Sequence, residues 1–218
     1  MITSSSLETI KSRFTLPTSK EIKIGSLSEP SSDFDLSTVD KKKFKGHYKK
    51  VAAVFILLRK KDLNVSVVFT KRSNNLSVHP GQISFPGGSL EPNDESILNA
   101  GLREVEEEIG LEESQIETVG MLRPHETVSK YLIHPFIGIM ESTAEFKINT
   151  SEVAEIFEVP LAFLLNRENM KEHQIVTEKE YRGYYAIPYG PYYIWGATAC
   201  ICLLYTSDAA DDTPCVDL

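Results

Sequence analysis

Between Leu98 and Ile109 the apolar residues Leu98, Leu102, Val105 and Ile109 recur at helical spacing, which places them in one narrow stripe of a helix. Glu104, Glu107 and Glu108 fall on the far side, within an arc of roughly 100°. Their i, i+3 and i+4 spacing makes the three carboxylates neighbours. Arg103 stands four residues before Glu107 and can pair with it on the helix flank. Gly110 suits the end of such a helix, because a left-handed residue there carries no penalty when it is glycine.

Elsewhere the pattern is that of strands. Val51 to Leu58 is continuously apolar and Asn64 to Thr70 follows after a short polar turn, which predicts two adjoining strands. Gln82 to Phe85, Ile116 to Leu122 and Tyr131 to Met140 read as further strands, and Pro135 predicts a bulge or an edge position for the last of these. Glu155 to Leu165 predicts a strand turning into a short helix at Pro160. Gln174 to Thr177, Tyr184 to Ile187 and Tyr192 to Trp195 are shorter strand candidates. This order supports an α/β fold, a mixed β-sheet with the acidic helix packed on it, and shows no internal repeat.

The two ends differ from this middle. Residues 1–14 place Leu7, Ile10 and Phe14 at helical spacing, and Ser26 to Asp40 is rich in Ser, Asp and Pro and reads as a loose arm. Residues 41–50 carry six lysines. We read them as a solvated lead-in to the first core strand, with electrostatic help to a polyanionic ligand as the alternative. At the other end, Cys202 to Asp211 resembles the translation of a transposon-library sequencing adapter. The expected division is therefore an N-terminal helix and polar linker over 1–49, a core domain over 50–201, and a non-native tail over 202–218 that adds nothing to the fold. Cys200, in an apolar run, is expected to be a small buried hydrophobe, and no disulfide framework is implied.

With 218 residues, 41% of them hydrophobic, the chain is long enough for one domain with a real core. A formal charge of −8 argues against a general nucleic-acid binder. No apolar run reaches the length of a membrane span, and the N-terminus lacks the form of a signal peptide. The expected location is the cytoplasm.

Three like charges on one helical turn repel unless something neutralises them. A solvated acidic face is the bland account of REVEEE; hard divalent cations that bind carboxylate oxygens and phosphates are the chemical one. The flanks decide between them. From Gly81 to Leu111 the chain reads GQISFPGGSLEPNDESILNAGLREVEEEIGL. This resembles the Nudix box, G-x5-E-x7-R-E-U-x-E-E-x-G-U, with Arg103, Glu104, Val105, Glu107, Glu108, Gly110 and Leu111 in its second half. The first half is one residue longer. Counting back from Arg103 puts Glu95 at the first acidic position, whereas counting on from Gly88 puts Asp94 there. Upstream, Thr70-Lys71-Arg72-Ser73 and Gly81 to Gly88 resemble the signature of the coenzyme A diphosphatase branch, which carries the same longer loop. Ser77 stands where that signature has an arginine. Tyr131 to Gly138, Glu152 to Leu161 and Ile194 to Ala199 also resemble segments of this branch.

The resemblance implies an α/β/α sandwich, the Nudix fold, and metal-dependent hydrolysis of the diphosphate of coenzyme A or its derivatives to adenosine 3′,5′-bisphosphate and 4′-phosphopantetheine. It implies Mg²⁺ or Mn²⁺ held by Glu104, Glu107 and Glu108, and catalysis by the box residues Glu104, Glu107 and Arg103, the last orienting Glu107. Substrate contacts are expected from Arg72, Lys71 and Ser73, and from the Gly87-Gly88 turn, which brings backbone beside the ligand. The general base is a box glutamate or one from a later loop, where Glu152 is the first candidate and Glu155 the second. His79, His125 and His134 are expected to be ordinary loop or strand histidines. Two alternatives remain: a Nudix hydrolase for another nucleoside diphosphate derivative, such as ADP-ribose or NADH, and a non-catalytic Nudix-fold binding module.

Overall fold

The structure, a computed structural model, describes residues 11–12, 30–33, 35, 46, 48–62, 64–176 and 181–210. Its first six strands are β1 (Ser31–Ser32), β2 (Lys50–Lys61), β3 (Asn64–Arg72), β4 (Ile83–Ser84), β5 (Gly87–Ser89) and β6 (Ile116–Met121). They continue as β7 (His125–Glu126), β8 (Tyr131–Met140), β9 (Val153–Pro160), β10 (Lys171–Val176), β11 (Tyr181–Tyr189) and β12 (Tyr192–Trp195). Three α-helices are described: α1 (Ile97–Ile109), α2 (Leu161–Leu165) and α3 (Ala197–Ala210).

The main sheet is mixed. β2 lies parallel to β8 and antiparallel to β3 and β5; β3 continues antiparallel to β9 and β4. β10, β11 and β12 form a separate antiparallel sheet. Alternation along β2 explains its unbroken apolar run. Ala53, Phe55 and Leu57 face α1 with Val105, Ile109 and Phe136, while Ile56 and Leu58 join the opposite core with Leu161, Leu164, Ile187, Ile194 and Ile201. A strand covered on both faces has no polar side to show. With α1 on one face and α2 and α3 on the other, the architecture is the expected α/β/α sandwich.

The expectations for the other elements fare unequally. β9 ends at Pro160 and passes directly into α2, as the sequence predicts. Pro135 is not at an edge. β8 has β2 on one side and β6 and β7 on the other, and Pro135 falls in the gap between the partners Met121–Phe136 and His125–Ile133. Its missing N–H therefore leaves no ladder bond unmade on that side. The arm expected over Ser26–Asp40 is pinned in part, because β1 pairs in parallel with β7 and Asp33 N–H donates to Glu126 O (3.1 Å). Most of the expected 1–14 helix, the start of the lysine run and Thr177 lie outside the described residues. Among the described residues, no helix is long and apolar enough to cross a membrane.

The tail also differs from expectation. α3 runs through Ile201 without a break, and Cys202 and Leu204 are buried in the core behind the sheet. The boundary drawn from the adapter-like stretch falls inside this helix, so residues just beyond it do contribute packing. Fully burying a leucine-sized side chain contributes about 1.5–3 kcal/mol, and each kcal/mol moves the midpoint of a chain this long by about 2–4 °C. A chain ending at Ile201 should therefore melt about 5–10 °C below the full chain. Calorimetry of the two, with equal midpoints as the contrary outcome, checks this.

Candidate active site

Local capping fixes α1 at both ends. Ser96 is extended and its hydroxyl oxygen accepts the N–H of Asn99 (3.1 Å), which satisfies one of the free donors of the first turn. Gly110 closes the helix with φ of 67°, and its N–H donates to Glu106 O (2.9 Å). The carbonyls of Glu108 and Ile109 are taken by the N–H groups of Asn149 (3.0 Å) and Lys147 (2.8 Å). The loop that supplies these donors thus lies across the helix end and delivers Glu152.

The result is a cluster in which carboxylate oxygens of Glu104, Glu108 and Glu152 all lie within 4.8 Å of one another. Glu108 is only 3% exposed; it accepts the Gly87 N–H (3.2 Å) and lies 3.8 Å from Arg72 Nη1. Burial pushes its pKa up to about 7, the Gly87 N–H and Arg72 pull the other way, and Glu104 and Glu152 add to the rise. Glu104 is also raised, first by burial and then by Glu107 and Glu152, against the pull of Arg103. Three carboxylates so close together, with the ionised forms of Glu104 and Glu108 disfavoured, suit a hard divalent cation.

Arg103 ties this helix to the loop before it. Its Nε and Nη2 donate to Asp94 (3.0 and 3.3 Å), Nη2 also to Ser89 O (3.2 Å) and Glu104 (3.2 Å), and Nη1 to Glu107 (2.9 Å). The guanidinium holds the Asp94 carboxyl below its usual range. Asp94, and not the exposed Glu95, therefore fills the acidic position that the longer loop left open.

Not every expected site residue joins the cluster. Glu107 is 51% exposed, pairs with Arg103 and stands outside the trio. On a helix it lies about 60° back from Glu104, toward solvent, whereas Glu108 lies about 40° forward, against the sheet. Glu152 takes the third place. Glu155 is engaged elsewhere, accepting the Tyr192 hydroxyl (2.5 Å). A cavity of about 920 Å³ opens over the cluster, lined by Arg72, Gly87, Gly88, Glu104, Glu108 and Glu152 among others. Lys71 and Ser73 do not line it, because alternate residues of an extended chain face opposite ways. Ser73 contributes through its backbone instead, donating to Glu152 O (2.7 Å). His79 and His125 line the cavity. His134 is buried, with neither ring nitrogen hydrogen-bonded among the described residues. Asp33 and Arg123 also line the cavity. No periodicity marks either residue, so only their place in space reveals them.

A NUDIX domain family model matches residues 48–179. The chain is 35% identical over 135 residues to the uncharacterized Nudix hydrolase NudL of Shigella boydii, covering 62% of this chain and 70% of that one. It is 35% identical over 136 residues to its namesake in Photorhabdus laumondii, covering 62% and 73%. Among solved structures, the Ap4A hydrolase binary complex of C. elegans is similar at 17% identity and a TM-score of 0.44, covering 52% of this chain and 81% of that one. The NUDIX domain of Shewanella oneidensis NrtR, complexed with ADP ribose, is similar at 22% identity and a TM-score of 0.42, covering 59% and 82%.

The raised carboxylate sets a pH dependence. Folded, Glu108 keeps its proton up to about pH 7, against 4.5 for the ordinary group. Between those values the folded state binds more protons, so metal-free stability falls as pH rises through the window. Glu104 has the same sign. His134 has the opposite sign, since burial lowers it from 6.5 to about 4 and stability is lost as pH falls below the ordinary value. With EDTA, lowering the pH from about 8 to about 6.5 should raise the melting temperature, and Glu108→Gln should flatten that rise. Adding Mn²⁺ should reverse the slope. Equal slopes in wild type and Glu108→Gln would contradict the assignment.

Proposed function

This chain belongs to the Nudix family of pyrophosphohydrolases, and from that premise we propose that it hydrolyses the diphosphate of coenzyme A or its derivatives. Water attacks one phosphorus, the anhydride P–O bond breaks, and the bridging oxygen leaves with the other phosphate. The products are adenosine 3′,5′-bisphosphate and 4′-phosphopantetheine. The observation that carries this reading is where the segment resembling the coenzyme A branch lies. Arg72, Gln82 to Phe85 and Gly87-Gly88 line the same cavity as the glutamate trio.

Glu104 and Glu108 would hold the ion, with Mg²⁺ or Mn²⁺ as the natural choices for carboxylate oxygens, and Glu152 faces them from its loop. When bound, such an ion neutralises the diphosphate oxygens and lowers the pKa of a bound water. The protein's own groups do the rest. Arg103 fixes the Glu104 carboxylate from the side away from the cavity. Arg72, beside Glu108, offers a guanidinium to the substrate phosphates. We assign to Glu152 the proton of the attacking water, because it faces the two helix carboxylates from a separate loop. Ser77 favours a second reading, hydrolysis of another nucleoside diphosphate derivative, since it is exposed and offers no cation where the branch has one.

Glu104→Gln and Glu108→Gln should each lower kcat by about a hundredfold with the fold intact. Glu152→Gln should lower kcat comparably but leave Mn²⁺ affinity within a few-fold of wild type. Glu107→Gln, exposed and outside the trio, should cost less than either helix ligand. Kinetics at saturating metal, with circular dichroism and metal titration, check all four. Substrate choice is read from one chromatographic panel of coenzyme A, dephospho-coenzyme A, ADP-ribose, NADH and a nucleoside triphosphate. Coenzyme A should be cut fastest, because a site built for its 3′-phosphate leaves polar groups unpaired with the others, at about 1–3 kcal/mol each. Faster cleavage of ADP-ribose or NADH would transfer the chain to the second reading.

A further inference from the structure

We propose that Asp33, His125 and Cys200 form a second metal site, one for a borderline-soft ion such as Zn²⁺, which clasps the N-terminal arm to the body of the domain. One donor atom from each residue lies within 4.8 Å of the other two. The three come from unrelated parts of the chain: Asp33 follows β1, His125 begins β7, and Cys200 sits in the first turn of α3. His125 is 1% exposed and the Asp33 side chain 14%, so the donors meet inside the protein, at one wall of the cavity.

The donor chemistry differs from that of the glutamate trio. Thiolate, imidazole and carboxylate together are a zinc set, whereas three carboxylates favour Mg²⁺ or Mn²⁺. Three protein ligands leave one tetrahedral position for water or a ligand atom from the cavity.

The surroundings suit the role. His125 Nδ1 lies 2.8 Å from Ser31 Oγ, and Nε2 lies 2.9 Å from Asp33 Oδ1. A metal-binding imidazole characteristically uses its other nitrogen to hold a hydrogen-bond partner that fixes the ring, and Ser31 stands in that place. Asp33 is held in turn by the N–H of Val128 on its second oxygen (3.0 Å). In the metal-free state the imidazole and carboxylate contact each other directly. On binding, the ring proton resides on Nδ1 toward Ser31, Nε2 and Oδ1 turn their lone pairs to the ion, and the Cys200 thiol releases its proton to solvent.

Cobalt reports on the two sites separately. Thiolate ligation gives an intense near-ultraviolet charge-transfer band, and carboxylate ligation does not. EDTA-stripped full chain titrated with Co²⁺ should show that band at about one equivalent per chain. It should persist in Glu108→Gln and in Cys202→Ala and vanish in Cys200→Ser. Asp33→Ala, on the arm and away from the core, should keep the fold and weaken Zn²⁺ binding at least about tenfold in a chelator competition. Zn²⁺ should raise the melting temperature of the wild type with Mg²⁺ already saturating, and should not raise that of Cys200→Ser. Absence of the band, its survival in Cys200→Ser, or unchanged Zn²⁺ affinity in Asp33→Ala would overturn the proposal.

Discussion

The site depends on how closely α1 can approach the backbone of β5. A Cβ on Gly88 would lie 2.3–2.5 Å from the Glu104 carboxylate, and one on Gly87 would lie 2.3 Å from Ala53 O at a φ of 144°. Only glycine permits both contacts. Because the strand passes so near, its Gly87 N–H reaches Glu108, and the buried carboxylate gains a hydrogen-bond donor beside the Arg72 guanidinium. The turn thereby sets the depth of the helix, and the depth of the helix sets the crowding of the carboxylates.

That crowding couples stability to function. An isolated buried carboxylate is disfavoured in its charged form, and like charges beside it raise the cost further. The fold holds the trio in place through neutral framework bonds instead: the two capping N–H groups from Asn149 and Lys147, and the Ser73 N–H on the Glu152 carbonyl. These contacts use backbone atoms, so the geometry survives changes in the protonation of the side chains. The remaining electrostatic mismatch is what a divalent cation would relieve, and it is why affinity for metal and dependence on pH are two aspects of one arrangement.

Arg103 shows the same economy. One guanidinium serves Asp94, Ser89 O, Glu104 and Glu107, and by joining loop to helix it restrains the Glu104 carboxylate. Lysine could not reproduce this fork of planar donors. On the opposite side of the molecule, the apolar faces of α2 and α3 cover β2 and β3 from behind, so the sheet that carries Arg72 and the glycine turn is backed by packed side chains.

The local pattern was enough to determine a good deal. The apolar strand β2, the acidic helix, its glycine terminator and the turn at Pro160 were each legible, because each follows from the hydrophobic pattern or from the backbone limits of one residue type. Contacts between distant segments were not. The periodicity put Glu107 with Glu104 and Glu108, since spacing along a helix cannot say which flank meets the sheet. Packing turned Glu107 to solvent and admitted Glu152 from a loop more than forty residues on. Pro135 read as a bulge or edge residue because a sequence does not show that two short strands divide one partner's ladder. Asp33 lay in a segment without apolar period, and its meeting with His125 and Cys200 exists only in three dimensions. The adapter-like reading divided the chain at Ile201, but the helix ran on, because burial of Cys202 and Leu204 depends on the surface they meet and not on the residues that follow them.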